Sequence, residues 1–216
     1  TDANGCMAYD TVTVDEPPLL TASAVATDAL CYGENGSVDL TVTGGTTPYL
    51  FLWSNAVTTE DLASVPAGEY SVIVTDANGC MAYDTVTVDE PPLLTASAVA
   101  TDALCYDENG SVDLTVTGGT TPYSFLWSNA ATTEDLASVP AGEYSVIVTD
   151  ANGCMAYDTV TVDEPPLLTA SAVATDALCY DENGSVDLTV TGGTTPYSFL
   201  WSNAATTEDL ASVPAG

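Results

Sequence analysis

The chain repeats itself at a spacing of 74 residues: Cys6, Cys80 and Cys154 stand 74 apart, and laying the sequence on itself at that shift leaves three variable columns. These are Gly33 against Asp107 and Asp181, Leu50 against Ser124 and Ser198, and Val57 against Ala131 and Ala205. Solenoid units run to roughly 20–50 residues and cannot bury a core alone, so the longer period points to a self-contained domain repeated as beads on a string. Pro17-Pro18, Pro91-Pro92 and Pro165-Pro166 each follow an acidic pair and cannot continue a sheet ladder, which places the joints there. The expected domains are residues 1–16 as the C-terminal hairpin half of a preceding repeat, 17–90 and 91–164 as full repeats, and 165–216 as an incomplete repeat lacking its last two strands. The stretch corresponding to Glu143–Val148 is expected to follow Gly216, in a longer array with short, stiff linkers.

Within one repeat the apolar residues alternate. Tyr70, Val72 and Val74 share one face while Ser71, Ile73 and Thr75 share the other, the period of a strand with one face packed. Asn78-Gly79 then predicts a type I′ hairpin into the run Met81–Val88. In the middle repeat, strands are expected over Leu93–Thr101, Gly110–Thr117, Tyr123–Ser128, Glu143–Thr149 and Met155–Val162, with Thr132–Val139 a short strand or a loop crossing between sheets. Val112, Leu114 and Val116 face inward; Tyr123, Phe125 and Trp127 should form the centre of the core. Six or seven short strands per 74 residues predict an all-β chain of tandem immunoglobulin-like β-sandwich domains.

Charge excludes several functions. Lys, Arg and His are absent against 31 acidic residues, so neither nucleic-acid phosphates nor an anionic membrane surface has a cation to meet. A 46% apolar content rules out a disordered acidic tail. No run is long and apolar enough to insert directly into a membrane. Triads and zinc-water mechanisms need a base such as His, and the acids sit in turns and joints rather than in a recognisable cleft, so no enzyme is expected.

Each repeat has two cysteines, one before its second strand and one after the Asn-Gly turn. The expected disulfides are Cys31 with Cys80 and Cys105 with Cys154, with Cys6 and Cys179 pairing outside the window. Closing a loop of about 50 residues would stabilise such a domain by roughly 4 kcal/mol on the chain-entropy model. A closed zinc site lacks both histidine and enough thiols.

The order Gly118-Gly119-Thr120-Thr121-Pro122-Tyr123-Ser124-Phe125-Leu126-Trp127-Ser128-Asn129, Thr132-Thr133-Glu134-Asp135-Leu136, and Pro140 through Asp150-Ala151-Asn152-Gly153-Cys154 resembles the SprB repeat of Bacteroidota surface proteins. The resemblance covers about 50 of every 74 residues. It implies very large, repetitive cell-surface adhesins or filaments, extracellular and exported by type IX secretion, in some members linked to gliding, and without catalysis. The expected partners are neighbouring copies of the same repeat or chain in a filament. Near-identity of the repeats favours a structural stalk over a calcium-dependent ligand- or glycan-binding adhesin module.

No cofactor is required; calcium is the one ion the acidic turns could hold. Candidate ligands are Asp150 and Asn152 in the hairpin turn, Asp107 and Glu108 with Asp102 nearby, and the joint acids Asp89 and Glu90. Turn chemistry accounts for the first two groups without an ion, and plain solvated charge for the third. Asp84-Thr85-Val86, with its copies at Thr11 and Thr159, resembles the Asp-Ser/Thr-apolar O-glycosylation pattern of Bacteroidota; a threonine on a strand explains it equally. The Asn-Gly-Ser sequons at Asn35, Asn109 and Asn183 carry little weight in a bacterial setting.

Overall fold

The structure, a computed structural model, describes residues 1–214 and falls into two compact units, Thr1–Leu93 and Leu94–Gly216. In the first unit six strands form: β1 (Thr21–Thr27), β2 (Gly36–Thr43), β3 (Leu50–Trp53), β4 (Leu62–Val65), β5 (Gly68–Thr75) and β6 (Met81–Val88). They make two antiparallel three-stranded sheets, ordered β1-β2-β4 and β3-β5-β6. The inner faces follow the predicted alternation: Val38 and Leu40 of β2 pack against Tyr70, Val72 and Val74 of β5, with Trp53 and Leu62 between them. The chain is therefore all-β, built of immunoglobulin-like sandwiches.

The path of the chain across the sandwich decides where its loops fall. Pro18 accepts a hydrogen bond from the Gly45 amide, which fixes the upstream end where the chain arrives. β1 runs from there to the downstream end, and β2 returns. β3 pairs with the second half of β5, Leu50 opposite Thr75 and Trp53 opposite Val72, while β4 pairs with the first half of β2, Gly36 opposite Val65 and Val38 opposite Leu62. The two four-residue strands thus make a single traverse that changes sheet half-way. Buried Trp53 holds the crossing, its indole N–H donating to the carbonyls of Thr59 at 3.1 Å and Glu60 at 3.3 Å. β5 therefore starts downstream, and the β5–β6 turn closes upstream.

That turn is not the expected type I′. Asn78 keeps an ordinary φ and only Gly79 is left-handed, at φ 83°. The loop runs over residues 76–80, closed by the Asp76 amide on the Cys80 carbonyl at 3.0 Å and centred on the Asp76 carboxylate. A side-chain acceptor has replaced the second positive-φ residue.

In the second unit β7 (Thr95–Thr101), β8 (Gly110–Thr117), β9 (Ser124–Trp127), β10 (Leu136–Val139), β11 (Gly142–Thr149) and β12 (Met155–Val162) repeat this arrangement, in sheets β7-β8-β10 and β9-β11-β12. Trp127, Val146 and Val148 are fully buried there. Downstream, β13 (Thr169–Thr175), β14 (Asn183–Thr191) and β15 (Leu210–Pro214) form one further sheet. Residues 198–201, the copy of β9, form no strand: β9 is held by β11, and residues 165–214 contain no copy of β11. Likewise Met7–Val14, the copy of β6, is exposed and forms no strand. The preceding turn still forms by itself, with the Asp2 carboxylate accepting from the Asn4 and Cys6 amides at 2.9 Å each.

Candidate functional site

A chain without Lys, Arg or His has to satisfy its half-buried carboxylates with N–H donors. The structure does this at both ends of each sandwich. Upstream, Asp76 is 4% exposed; its Oδ1 accepts from the amides of Asn78 (2.9 Å) and Cys80 (2.8 Å), and its Oδ2 from the Thr46 amide (2.9 Å). Asp150 takes the same bonds from Asn152, Cys154 and Thr120. Burial alone would push these carboxyls up, but the amide hydrogen bonds outweigh it and hold both below the usual 3.8. The Asn152 side-chain amide donates to Thr120 Oγ1 at 3.1 Å, tying the hairpin to the Gly118-Gly119 turn.

Downstream, the β1–β2 loop grips the residues after β6. Ala29 donates its amide to the Asp89 carbonyl at 2.9 Å, the Asp89 amide donates to Asp28 Oδ1 at 2.9 Å, and Glu90 Oε2 accepts from the Gly33 amide at 2.6 Å. In the second unit Asp102 accepts from the Asp163 amide, and Glu164 from the amide of Asp107. Asp107 replaces Gly33 at a left-handed position, φ 62°, which Asp tolerates better than most residues.

The predicted calcium ligands are therefore divided. Asp102, Asp107 and Glu108 lie on the downstream loop of the second sandwich and Asp89 and Glu90 on the segment after β6 that the first sandwich's loop grips, whereas Asp150 and Asn152 lie at the upstream end. Among the described residues, no group of three or more His, Cys, Asp or Glu stands close enough to hold a metal ion. Sequence reading missed two acids that bind strand amides across each sandwich, the exposed Asp61 and the half-buried Asp84. Asp61 accepts from the Leu40 amide at 2.9 Å and Asp84 Oδ2 from the Ala24 amide at 2.7 Å. Asp84 was legible as a sequence signal only through its place on the inward face of β6, alternating with Ala82, Val86 and Val88. Thr11, Thr85 and Thr159 are exposed.

The cysteines correct the expected pairing. Cys31 and Cys154 are disulfide-bonded, while Cys80 and Cys105 are free thiols, as are Cys6 and Cys179, so neither Cys31–Cys80 nor Cys105–Cys154 forms. The reason is distance. Cys31 sits in the downstream loop beside Asp89 and Glu90, Cys80 at the upstream hairpin, and the eight residues of β6 lie between. At about 3.3 Å per residue they span about 26 Å, whereas a disulfide needs Cα atoms within about 7 Å.

The SprB repeat family profile matches residues 23–58, 97–132 and 171–206, which is β1 through the turn after β3 and its copies. The chain belongs to the SprB repeat family. Its matched segments carry the Gly-Gly turn, the aromatic strand and the sheet-crossing tryptophan, so the profile describes the part of the SprB repeat that sets the path of the chain. This family is a structural repeat rather than an enzyme family. No curated protein matches the chain. Among solved structures, the crystal structure of the N-terminal eight Ig domains of Down Syndrome Cell Adhesion Molecule isoform 1.30.30 is similar at 11% identity and a TM-score of 0.30. The alignment covers 88% of this chain and 30% of that one.

Proposed function

We propose that this chain is a structural tandem-repeat segment of a giant secreted cell-surface filament or adhesin stalk, of the kind that adheres or glides. One observation carries the reading. The same sandwich recurs with three variable columns, and none of those columns gathers functional groups into a cleft: they fall at the downstream loop, the outer face of β3 and the turn after it. A binding surface under selection for a ligand would vary where the ligand is read, and these repeats keep what the fold needs. The SprB repeats support an extracellular, surface-exposed place, with neighbouring copies of the repeat or chain as partners and type IX export from a member of the Bacteroidota as the route. No helix among the described residues is long and apolar enough to cross a membrane.

Antibodies against the repeat should label intact, unpermeabilised cells, and labelling should fall after treatment with an external protease that cuts at Glu; trypsin has no site here. Isolated repeats should show no saturable binding to glycans or host-type surfaces. Saturable, calcium-dependent binding by isolated repeats would instead make the chain an adhesin module.

A further inference from the structure

A chain with many acids and no cation has few places where two protein surfaces can meet without stranding a charge. The outer face of the β3-β5-β6 sheet is such a place. Its register sets two rows across the strands: Leu52, Ile73 and Tyr83 in one, Leu50, Thr75 and Met81 in the other. Leu50 is 70% exposed, Leu52 50%, Met81 57% and Tyr83 64%, so the rows face solvent. Residues 17–90 carry ten acids, and Glu69 is the one on this face. It stands four residues along β5 from Ile73, about 13 Å away and outside both rows.

The second sandwich has the same face on its β9-β11-β12 sheet, where Leu126, Ile147 and Tyr157 form the first row and Glu143 is the one acid. The outer face of the other sheet differs: Asp39 sits in the middle of β2, opposite Val25. Charge decides what fits the neutral face. A cationic partner would find no acid within the rows to pair with and would lose hydration there, whereas the same face of a second copy brings apolar rows against apolar rows in a two-fold contact. Area sets its strength. Three strands about 4.8 Å apart, with eight-residue strands rising about 3.3 Å per residue, make roughly 300 Å² of sheet. A stable interface takes roughly 800 Å² from each partner, so one sandwich holds a copy weakly and firm association needs several repeats to engage together.

We propose that copies of this chain associate with one another through the outer faces of the β3-β5-β6 and β9-β11-β12 sheets, with Leu52, Ile73 and Tyr83 and their copies Leu126, Ile147 and Tyr157 at the centre of each contact. The inference rests on the filament reading for the presence of many copies together, and it names the face by which they meet. Repulsion between chains of formal charge −31 opposes the contact, so association strengthens as salt screens that charge. A contact made by ion pairs would weaken instead.

Sedimentation velocity of the 216-residue chain tests it, with the free thiols capped by iodoacetamide so that no covalent dimer forms. The average mass should rise with protein concentration up to about 1 mM, and rise further between about 0.1 M and about 1 M salt. Leu52→Glu with Leu126→Glu should weaken association about tenfold or more, by placing like charges in the contact. Tyr83→Ser with Tyr157→Ser adds no charge and should weaken it in the same direction. Val25→Glu with Val99→Glu places the same charge on the other sheet, where both valines are 63% exposed, and should leave the loss small. All of these side chains point to solvent, and thermal melts check that each variant is folded. A chain that stays monomeric at high salt would overturn the proposal, as would association that falls with salt or that the valine variants weaken as much as the leucine ones. Because the readout is the purified chain, such a failure leaves the surface labelling of cells, and with it the filament reading, to be judged separately.

Discussion

The carboxylate of Asp84, on β6, accepts a hydrogen bond at 2.7 Å from the amide of Ala24, on β1. β1 and β6 are edge strands of different sheets that run side by side without a ladder, and this contact stands where ladder bonds would otherwise be. Asp158 and Ala98 repeat it at 2.7 Å. Asp84→Ala should leave the half-buried Ala24 amide without its partner, at about 1–3 kcal/mol. Asp84→Asn should cost less, because one side-chain oxygen remains. In thermal melts each kcal/mol corresponds to about 4–8 °C for a domain of this size, so the alanine variant should melt well below the asparagine variant. Equal melting of both with the parent would remove Asp84 from the account of what closes the sandwich.

Acid should loosen the hairpins before the sheets. Asp76 and Asp150 have folded pKa values below the ordinary 3.8, so their contribution to stability is present in full above that value and is lost as pH falls through the lower folded one. Neutralising the other acids acts in the opposite sense, by relieving repulsion in a chain of formal charge −31. The difference between parent and Asp150→Asn isolates the hairpin. Urea midpoints measured from pH 6 down to pH 2 should converge at the acid end; a constant gap across the range would show that the charge of Asp150 is not what the amides bind.

Most of the fold was readable because alternation fixes which residues face inward, and Tyr70, Val72, Val74, Val112 and Leu114 are all buried as the pattern requires. The disulfide partners were not, for a reason of parity. If Tyr123–Ser128 and Thr132–Val139 were each a full traverse, the last hairpin would close downstream and Cys105 would stand beside Cys154. The two short strands share one traverse instead, which moves the hairpin to the other end. Nothing in local propensity distinguishes one crossing from two; the decision rests on Trp127, whose indole N–H reaches the Thr133 carbonyl at 3.0 Å across the change of sheet. The acid network was equally hidden, since a carboxylate bound to a distant amide leaves no short-range signature, whereas the Asp-x-Asn-Gly turn does.

Gly110 shows why the Asn-Gly-Ser segment keeps its glycine. A Cβ there would lie 2.3 Å from the Thr101 carbonyl oxygen and 2.6 Å from Val162 Cγ1, both held in the sandwich. Gly110→Ala should therefore cost at least about 2 kcal/mol as overpacking. Gly153 is the contrast: a Cβ would meet nothing within 4 Å, but φ is +89°. Gly153→Ala should cost only the left-handed backbone term, about 1–2 kcal/mol. Urea unfolding with an unchanged slope should rank Gly110→Ala below Gly153→Ala, and the reverse order would mean that the downstream loop relaxes freely around the added methyl.

Calcium is the remaining question for the acidic turns, and the hydrogen bonds give a direction. Asp150 already has three amides on its two oxygens, Glu164 accepts the Asp107 amide of the β7–β8 loop, and Asp102 on that loop accepts the Asp163 amide. An ion would have to displace those bonds or settle for exposed carboxylates that do not converge. The melting temperature of residues 17–164 under non-reducing conditions should therefore be the same in millimolar calcium and in excess chelator. A rise of many degrees with calcium would bring ions back to these acids and make the stiffness of the array depend on the medium, since ligand bound only to the folded state raises stability by mass action.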